Sequence, residues 1–144
     1  MPNRRDFDHI GSFNFRVEIN GVTEGHFIYV SGLESQSEVI EYRNGADNLT
    51  RKIPGRTSYS NIIMRRGYNN VDELWNWRKS VTDGAINRRS GSIFILGADA
   101  ETVITEFNFF EAWPCRYELG QFNGDLDSVL IEEIEIVTER IERK

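Results

Sequence analysis

The side chains most able to do chemistry are the glutamates of the last strand-like stretch, "SVLIEEIEIVTERIERK", residues 128–144. In a regular strand Glu133, Glu135 and Glu139 share one face and Glu132 lies on the other. Paired carboxylates can catalyse acid–base chemistry, but no second segment supplies acids converging on a pocket. We interpret the stretch as a solvated face, with the wall of a wide aqueous lumen as the sharper alternative. Such a ladder of like charges repels itself unless water or basic partners meet it.

Other reactive residues are few. The two histidines, His9 and His26, have no nearby nucleophile in the sequence, and Cys115 is the one cysteine, most simply a packed side chain. Zinc sites need clusters of Cys and His, and "DFDH" at residues 6–9 is better interpreted as a solvated terminus. Because no Gly-rich phosphate-binding loop is present either, we predict no catalytic residues, no metal and no cofactor.

The segment "NGDLD" resembles the start of a calcium loop, with Asn123, Asp125 and Asp127 at alternate positions. The sixth position is Ser128, where such a loop needs glycine, and the twelfth is Ile134, where it needs glutamate. The segment is therefore predicted to be a polar turn.

The length, composition and net charge of the chain are those of an ordinary single domain. The chain has 144 residues, 39% hydrophobic and 28% charged, with a net charge of −6, which argues against specific nucleic-acid recognition. The N-terminus "MPNRRDFDHIG" has no apolar segment of the kind found in secretion signals. We therefore expect synthesis in the cytoplasm without a signal peptide, which agrees with a single unpaired cysteine.

Period-2 alternation marks the elements that must position these residues. "SFNFRVEINGV" places Phe13, Phe15, Val17 and Ile19 on one face, and the following Asn20-Gly21 predicts a hairpin whose return strand is "HFIYV", residues 26–30. "EVIEYRNG" is a third strand and "NIIMRRG" a fourth, joined by a long polar segment. Three later segments are also rich in β-branched and aromatic residues: "SIFILG", "TVITEFNFFEAW" and "SVLIEEIEIVTERI".

One segment, "NNVDELWNWRKSVTDG", is predicted to be helical over about residues 69–83. Asn69 or Asn70 is the expected cap, Gly84 the expected end, and Leu74 and Trp75 are expected on one face with Val71 and Arg78. About seven strands and one helix predict a mainly β fold, an antiparallel sandwich or small barrel with one flanking helix. The whole chain, 1–144, is predicted to be one domain.

Several segments in order resemble the tail-tube (inner tube) protein family of contractile-tail bacteriophages and related contractile injection systems. They are "FNFRVEINGVTEGHFIYVSGLESQSEVIEYRNG", "RKIPG", "IIMRRGYNNVDELWNW", "RRSGSIFILG", "EAWPCRYE" and the closing acidic strand. The resemblance runs from about Phe13 to Ile141. It is most specific in Glu41-Tyr42-Arg43, in the Leu-Trp-x-Trp motif at residues 74–77 and in the Ala-Trp-Pro motif at residues 112–114.

The resemblance implies a structural subunit that is not an enzyme. Its protomers form hexameric rings whose strands close a continuous β-barrel, and the rings stack into a hollow tube inside a contractile sheath. The implied partners are the sheath protein, baseplate or spike proteins, terminator proteins, and cargo DNA or effector proteins in the lumen. The assembled particle is a phage tail or an injection system, which can be extracellular after release.

The resemblance also implies that a long loop reaches the neighbouring ring, and by position this loop is residues 43–59. A polar loop of this length is hard to justify in an isolated compact domain, and its charges would set register between rings. The candidate inter-ring or inter-subunit contacts are Arg43, Asn44, Asp47, Arg51, Lys52, Arg56 and Tyr59.

Two alternatives stay open at this point. One is a tube-capping or adaptor paralogue of the same fold, although the single-domain length favours a subunit of the tube shaft. The other is a small β-barrel enzyme or ligand-binding protein that uses the acidic C-terminal strand.

Overall fold

The computed structural model describes residues 9–22, 27–46, 48–125 and 128–144. These described residues form nine strands and one helix, two strands more than the sequence predicts. None of their helices is long and apolar enough to cross a membrane. The elements are β1 Phe15–Ile19, β2 Phe27–Ser31, β3 Ser35–Tyr42, β4 Arg51–Tyr59, β5 Ile62–Gly67, α1 Glu73–Thr82, β6 Arg89–Leu96, β7 Val103–Leu119, β8 Ile131–Val137 and β9 Arg140–Arg143.

Seven of the strands form one antiparallel sheet in the order β1-β6-β7-β8-β5-β2, with β9 paired to β7. The other two, β3 and β4, pair only with each other in a separate two-stranded sheet. Among the described residues every strand pair is antiparallel. The predicted class, mainly β with one flanking helix, is confirmed.

The long strand β7 belongs to both halves of the seven-stranded sheet. Residues 103–112 pair with β6, whereas residues 113–119 pair with β8. Close to the boundary between the two ranges, Glu111 has a φ of 54°, a left-handed conformation that a non-glycine residue rarely adopts. At this bend the strand leaves one half of the sheet and enters the other, so the two halves face each other as in a sandwich.

One hydrophobic core fills the space between the two halves and the helix. It contains Val17, Ile19, Phe27, Ile62, Met64, Leu74, Trp77, Ile93, Phe109, Ala112, Ile134 and Ile136. The alternation predicted for the first strand is confirmed at Val17 and Ile19. Phe13 lies before β1 instead of in it and is 77% exposed.

The helix is present but differs from the prediction in detail. It begins after Asp72, whose side chain makes no capping hydrogen bond, and not after Asn69 or Asn70. Gly84 follows its end with a φ of 84°, as predicted. Leu74 is buried as expected, but the second buried residue is Trp77 instead of Trp75. Trp77 belongs to the hydrophobic core and donates from Nε1 to the carbonyl oxygen of Asn87 at 2.7 Å.

The hairpin predicted between the first two strands is wrong. Asn20-Gly21 does form a turn, in which the Val22 N–H donates to the carbonyl oxygen of Ile19 at 3.0 Å and Gly21 has a φ of 79°. However, β1 pairs with β6 and β2 pairs with β5, so the two strands lie at opposite ends of the strand order. The first residue of the predicted return strand, His26, lies outside the described residues.

Gly32 allows the chain to pass from β2 into β3. Its φ is 99°, and a Cβ at this position would overlap the carbonyl oxygen of Asn61, the residue before β5. Both features require glycine, because other residues are strained at this φ and a methyl group has no space.

A Gly32→Ala substitution is therefore expected to lower the free energy of unfolding by about 1–3 kcal/mol. Chemical denaturation at one fixed protein concentration measures the change. The matched control is Gly45→Ala, because a Cβ at Gly45 meets nothing within 4 Å, and its effect should stay within about 0.5 kcal/mol. Equal effects of the two substitutions would contradict the assigned role of Gly32.

Candidate assembly interface

A two-stranded hairpin projects from the body of the protein. Strands β2 and β5 pair as far as Ser31 and Ile63, and the same two chain segments pair again from Ser35 and Tyr59 as β3 and β4. The hairpin, defined here as residues 35–59, is thus a continuation of the ribbon that β2 and β5 begin. Its strands are joined by residues 43–50.

The structure corrects the loop predicted at residues 43–59. Residues 51–59 are strand β4, which pairs with β3 from Arg51 to Tyr59 with one register shift, and only residues 43–50 connect the two strands. Pro54-Gly55 made the segment look like a loop, but Pro54 lies opposite Val39 beside a register shift, a position where proline is tolerated in a strand.

The hairpin exposes apolar side chains although it has no core of its own. All eight residues of β3 are exposed, and β4 is exposed except at Gly55 and Tyr59. An isolated two-stranded hairpin is marginally stable in water, and grouped exposed apolar residues mark interaction sites. The exposed apolar side chains are Val39, Ile40, Tyr42, Leu49 and Ile53.

The candidate contact residues are spread along this hairpin instead of grouped at one point. Arg43 and Asn44 are exposed in the connection at its tip. Along β4, Arg51 lies opposite Tyr42 and Lys52 opposite Glu41.

The remaining candidates lie toward the base or cannot be placed. Arg56 is exposed further along β4, and Tyr59 is half-buried at the base of the hairpin, opposite Ser35. Asp47 lies outside the described residues.

The acidic strand β8 faces two environments. Glu132 points inward and is 1% exposed, and its Oε1 lies 2.5 Å from Nε of Arg66 in β5. The hydroxyl of Tyr117 donates to Oε2 of Glu132 at 2.6 Å. Burial and this bond to a carboxylate raise the pKa of Tyr117. Nη2 of Arg66 lies 4.0 Å from Oε2 of Glu73 in the helix, so the buried cation stands between two acids.

The outward glutamates are paired as well. Oε1 of Glu133 lies 2.5 Å from Nε of Arg65, and its other oxygen contacts Arg116. Glu135 accepts a hydrogen bond from Asn61 at 2.9 Å and lies 3.6 Å from Nε of Arg116. These donors lower the pKa of both carboxyl groups, chiefly through Arg65 for Glu133 and Asn61 for Glu135. The strand is a network of paired charges and not a self-repelling ladder.

The sequence contains a signal for these pairs that is missed when each strand is considered separately. Arg65-Arg66 and Glu132-Glu133 are adjacent like charges on two strands, and antiparallel pairing sets Arg65 opposite Glu133 and Arg66 opposite Glu132. The expectation that Glu139 shares the face of Glu133 is wrong, because Glu139 lies between β8 and β9 and its N–H donates to the carbonyl oxygen of Phe110.

The other residues considered for chemistry are not brought together. His9 is exposed, and half-buried Cys115 lies 3.6 Å from Oε2 of Glu135, with a pKa raised by burial and by that carboxylate. The Asp125 N–H donates to Oδ1 of Asn123, as in a polar turn. Asp127 and residues 6–8 lie outside the described residues. In the part of the chain that is described, no three acidic, His or Cys side chains are grouped to hold a metal ion.

Residues 11–142 match the sequence family described as T4-like virus tail tube protein gp19. The chain belongs to this tail tube family. The family predicted from the sequence is thereby confirmed, over nearly the whole chain. No curated protein matches the chain by sequence.

Solved structures of tube components have the same fold. A chain of the PVC sheath-tube complex, an extracellular contractile injection system in the extended state, is 25% identical with a TM-score of 0.84, covering 94% of this chain and 91% of that one. A chain of the PVC sheath/tube terminator is 26% identical with a TM-score of 0.86, covering 97% and 99%. Hcp1 from Flavobacterium johnsoniae, at 18% identity, TM-score 0.62 and coverage of 91% and 94%, shares the fold.

Removing the charge of Glu132 in this tail tube protein should be costly. A Glu132→Gln substitution leaves Arg66 buried without its closest counterion, and the free energy of unfolding is expected to fall by about 3 kcal/mol. Glu118→Gln is the control: Glu118 also pairs with an arginine, Arg116, but both side chains are about half exposed, so its effect should stay within about 0.5 kcal/mol. Urea denaturation measures the free energy of unfolding of both variants. Equal losses would show that burial of the Arg66–Glu132 pair contributes nothing to stability.

The outward pairs predict acid sensitivity. The pKa of Glu133 is lowered in the folded protein from an ordinary value of 4.5. The stabilisation is therefore complete above that value and is lost as the pH falls through the lower pKa of the folded state. Thermal unfolding between pH 6 and pH 3 should show a smaller acid-induced loss in Glu133→Gln than in the unsubstituted protein. Glu38→Gln controls for net charge, and identical pH profiles for all three proteins would contradict the prediction.

Proposed function

We propose that this protein is the structural subunit of the inner tube of a contractile phage tail or injection system. Protomers form hexameric rings, and the rings stack into a hollow tube that conducts DNA or effector cargo through a target envelope. The observation that carries the proposal is the hairpin of residues 35–59. It is paired along its length, yet it exposes both faces and several apolar side chains, as a segment does when its stabilising contacts come from another copy.

The free edges of the sheet support assembly between copies. Strands β1 and β2 end the strand order, so each has one edge without a neighbour among the described strands. On β2, Ile28 and Tyr29 are 59% and 39% exposed. Open edges of this kind invite pairing with another chain, and closing them around a ring removes them. The number of protomers per ring, six, is the one that the family resemblance implies.

The charge network supports a structural role over an enzymatic one. General acid catalysis needs a carboxyl group that holds a proton near neutral pH. The hydrogen bonds from Arg65 and Arg116 instead lower the pKa of Glu133, which therefore stays ionised, and Glu132 is engaged by Arg66 and Tyr117. The acids of β8 are thus committed to holding strands together. We assign no catalytic activity, and we place the protein in a tail or injection particle assembled after cytoplasmic synthesis.

The sheath, baseplate and terminator proteins are the proposed partners of the assembled tube. One similar chain comes from a sheath-tube complex and another from a sheath/tube terminator. The terminator likeness, with a TM-score of 0.86, favours a second candidate function, in which the protein caps a tube instead of forming its shaft. The two functions differ in whether rings of this protein stack on one another.

Negative-stain microscopy of the purified protein at high concentration tests both functions. A shaft subunit should form rings and multi-ring tubes, whereas a capping protein should form single rings that do not stack. A protein that stays monomeric under every condition would contradict both.

A shortened hairpin tests the role of its tip. Tyr42 and Arg51 are paired partners, so a two-residue Asn-Gly turn can replace residues 43–50 without changing the register. The shortened protein should keep its circular dichroism spectrum and its thermal midpoint, while the tubes become shorter. Unchanged tube length would show that residues 43–50 do not join rings.

A further inference from the structure

Trp75 is exposed although two neighbouring residues of the helix pack into the core. Its side chain is 49% exposed, whereas Leu74 and Trp77 are each 1% exposed. Tryptophan is among the residues that contribute most to binding at protein interfaces, but a single exposed apolar side chain is ordinary on a protein surface. The residues around Trp75 therefore decide whether its exposed indole belongs to a binding site.

Two tyrosines complete an aromatic pocket with Trp75. The ring centroids of Trp75 and Tyr117 are 5.4 Å apart at an interplanar angle of 63°, an edge-to-face arrangement. Tyr68, which follows β5, lines the same cavity of about 430 Å³ together with Leu119 and Asp72. Three aromatic side chains, from the helix, from β7 and from the segment between β5 and the helix, thus meet at one surface cavity.

Both tyrosine hydroxyls are held by neighbouring side chains. The Tyr117 hydroxyl donates to Oε2 of the buried Glu132 at 2.6 Å, and the Tyr68 hydroxyl donates to Oδ1 of Asn70 at 3.1 Å. Asn70 has a φ of 64°, a left-handed conformation that asparagine tolerates better than most residues. Because these contacts fix both rings before a ligand arrives, less conformational entropy is lost on binding.

The chemistry of the cavity favours a cation. The buried base of this region, Arg66, is already paired with Glu132. Asp72 lines the cavity and is exposed, and its side chain makes no capping hydrogen bond to the helix, so its carboxylate is available to pair with a ligand. The faces of aromatic rings also carry partial negative charge, and cations bind against them. An anion, by contrast, would be repelled by Asp72 and by the ring faces.

We propose that Tyr68, Trp75 and Tyr117 form an aromatic cage that binds the cationic side chain of a lysine or arginine in a partner protein. The charged group lies against the ring faces and pairs with Asp72, while its aliphatic stem packs on Leu119. A side chain fits better than a free ion, because the half-exposed Trp75 also offers apolar area to the residues that flank the cation. The cage goes beyond the proposed tube function and does not depend on it.

Binding of short peptides tests the cage. The probes are glycine-arginine-glycine and glycine-lysine-glycine, acetylated and amidated at their ends, and glycine-glutamine-glycine with the same blocking groups is the neutral control. The chain has three tryptophans, so the protein labelled with fluorotryptophan gives three fluorine resonances. Only that of Trp75 should shift when a basic peptide is added at constant ionic strength. The glutamine peptide should bind about tenfold more weakly, because it lacks the cation.

Saturation transfer from the protein to the peptide measures the same binding in variants without the indole. Trp75→Leu keeps an apolar side chain but removes the ring, and it should reduce the signal of the arginine peptide to that of the glutamine peptide. Trp75→Phe keeps a ring and should retain part of the signal. Asp72→Asn should weaken binding by about threefold, whereas Asp83→Asn, which removes a carboxylate at the other end of the same helix, should not. Circular dichroism checks that each variant is folded.

Three results would overturn the aromatic cage. Equal binding of the basic and glutamine peptides would show an apolar groove without preference for a cation. Unchanged binding in Trp75→Leu would place the peptide elsewhere on this acidic protein. Tighter binding of tetramethylammonium than of either basic peptide would make the ligand a small free cation instead of a side chain. None of these results bears on the rings and tubes by which the proposed function is tested.

Discussion

The buried ion pair between Arg66 and Glu132 is the contact on which the position of the hairpin depends. Strand β5 continues from the same ribbon as the hairpin, and β8 anchors β5 to the rest of the sheet. A one-residue slip of β5 against β8 would turn Arg66 out of the core together with Ile62 and Met64. The loss of the buried ion pair and of two buried apolar side chains therefore opposes such a slip. The direction in which the hairpin projects follows from the register of β5 against β8.

The same pairing decides which charges remain for contacts with other molecules. On the outer face, Arg65 and Arg116 neutralise Glu133 and Glu135 within the protomer. The charged side chains of this face are therefore paired with one another inside the protomer.

The sequence predicted the elements that bury a face within the protomer. Val17 and Ile19 alternate with polar residues, and the helix ends at Gly84, because one-sided burial and helix termination leave marks in the local sequence. Strand β4 was missed because neither of its faces is buried in its own chain, so "RKIPGRTSY" shows no apolar face. The β1–β2 hairpin was predicted wrongly because Asn20-Gly21 specifies a turn but not which strands pair beyond it. The candidate contacts Arg43 and Lys52 came from the family resemblance, which carries information about burial between chains that periodicity does not.

In an assembly of this kind, rings must bind each other strongly along the axis. Free protomers, however, must not associate in the same way before rings have formed. A contact built from a few apolar side chains and screened surface charges is weak between two protomers. In the proposed tube, a contact between two rings would repeat once per protomer, and each additional contact would form at a high effective concentration. Stacking of complete rings is then favoured far more than pairing of free protomers. This order of assembly requires that the hairpin stays extended and does not contact another protomer until a ring has formed.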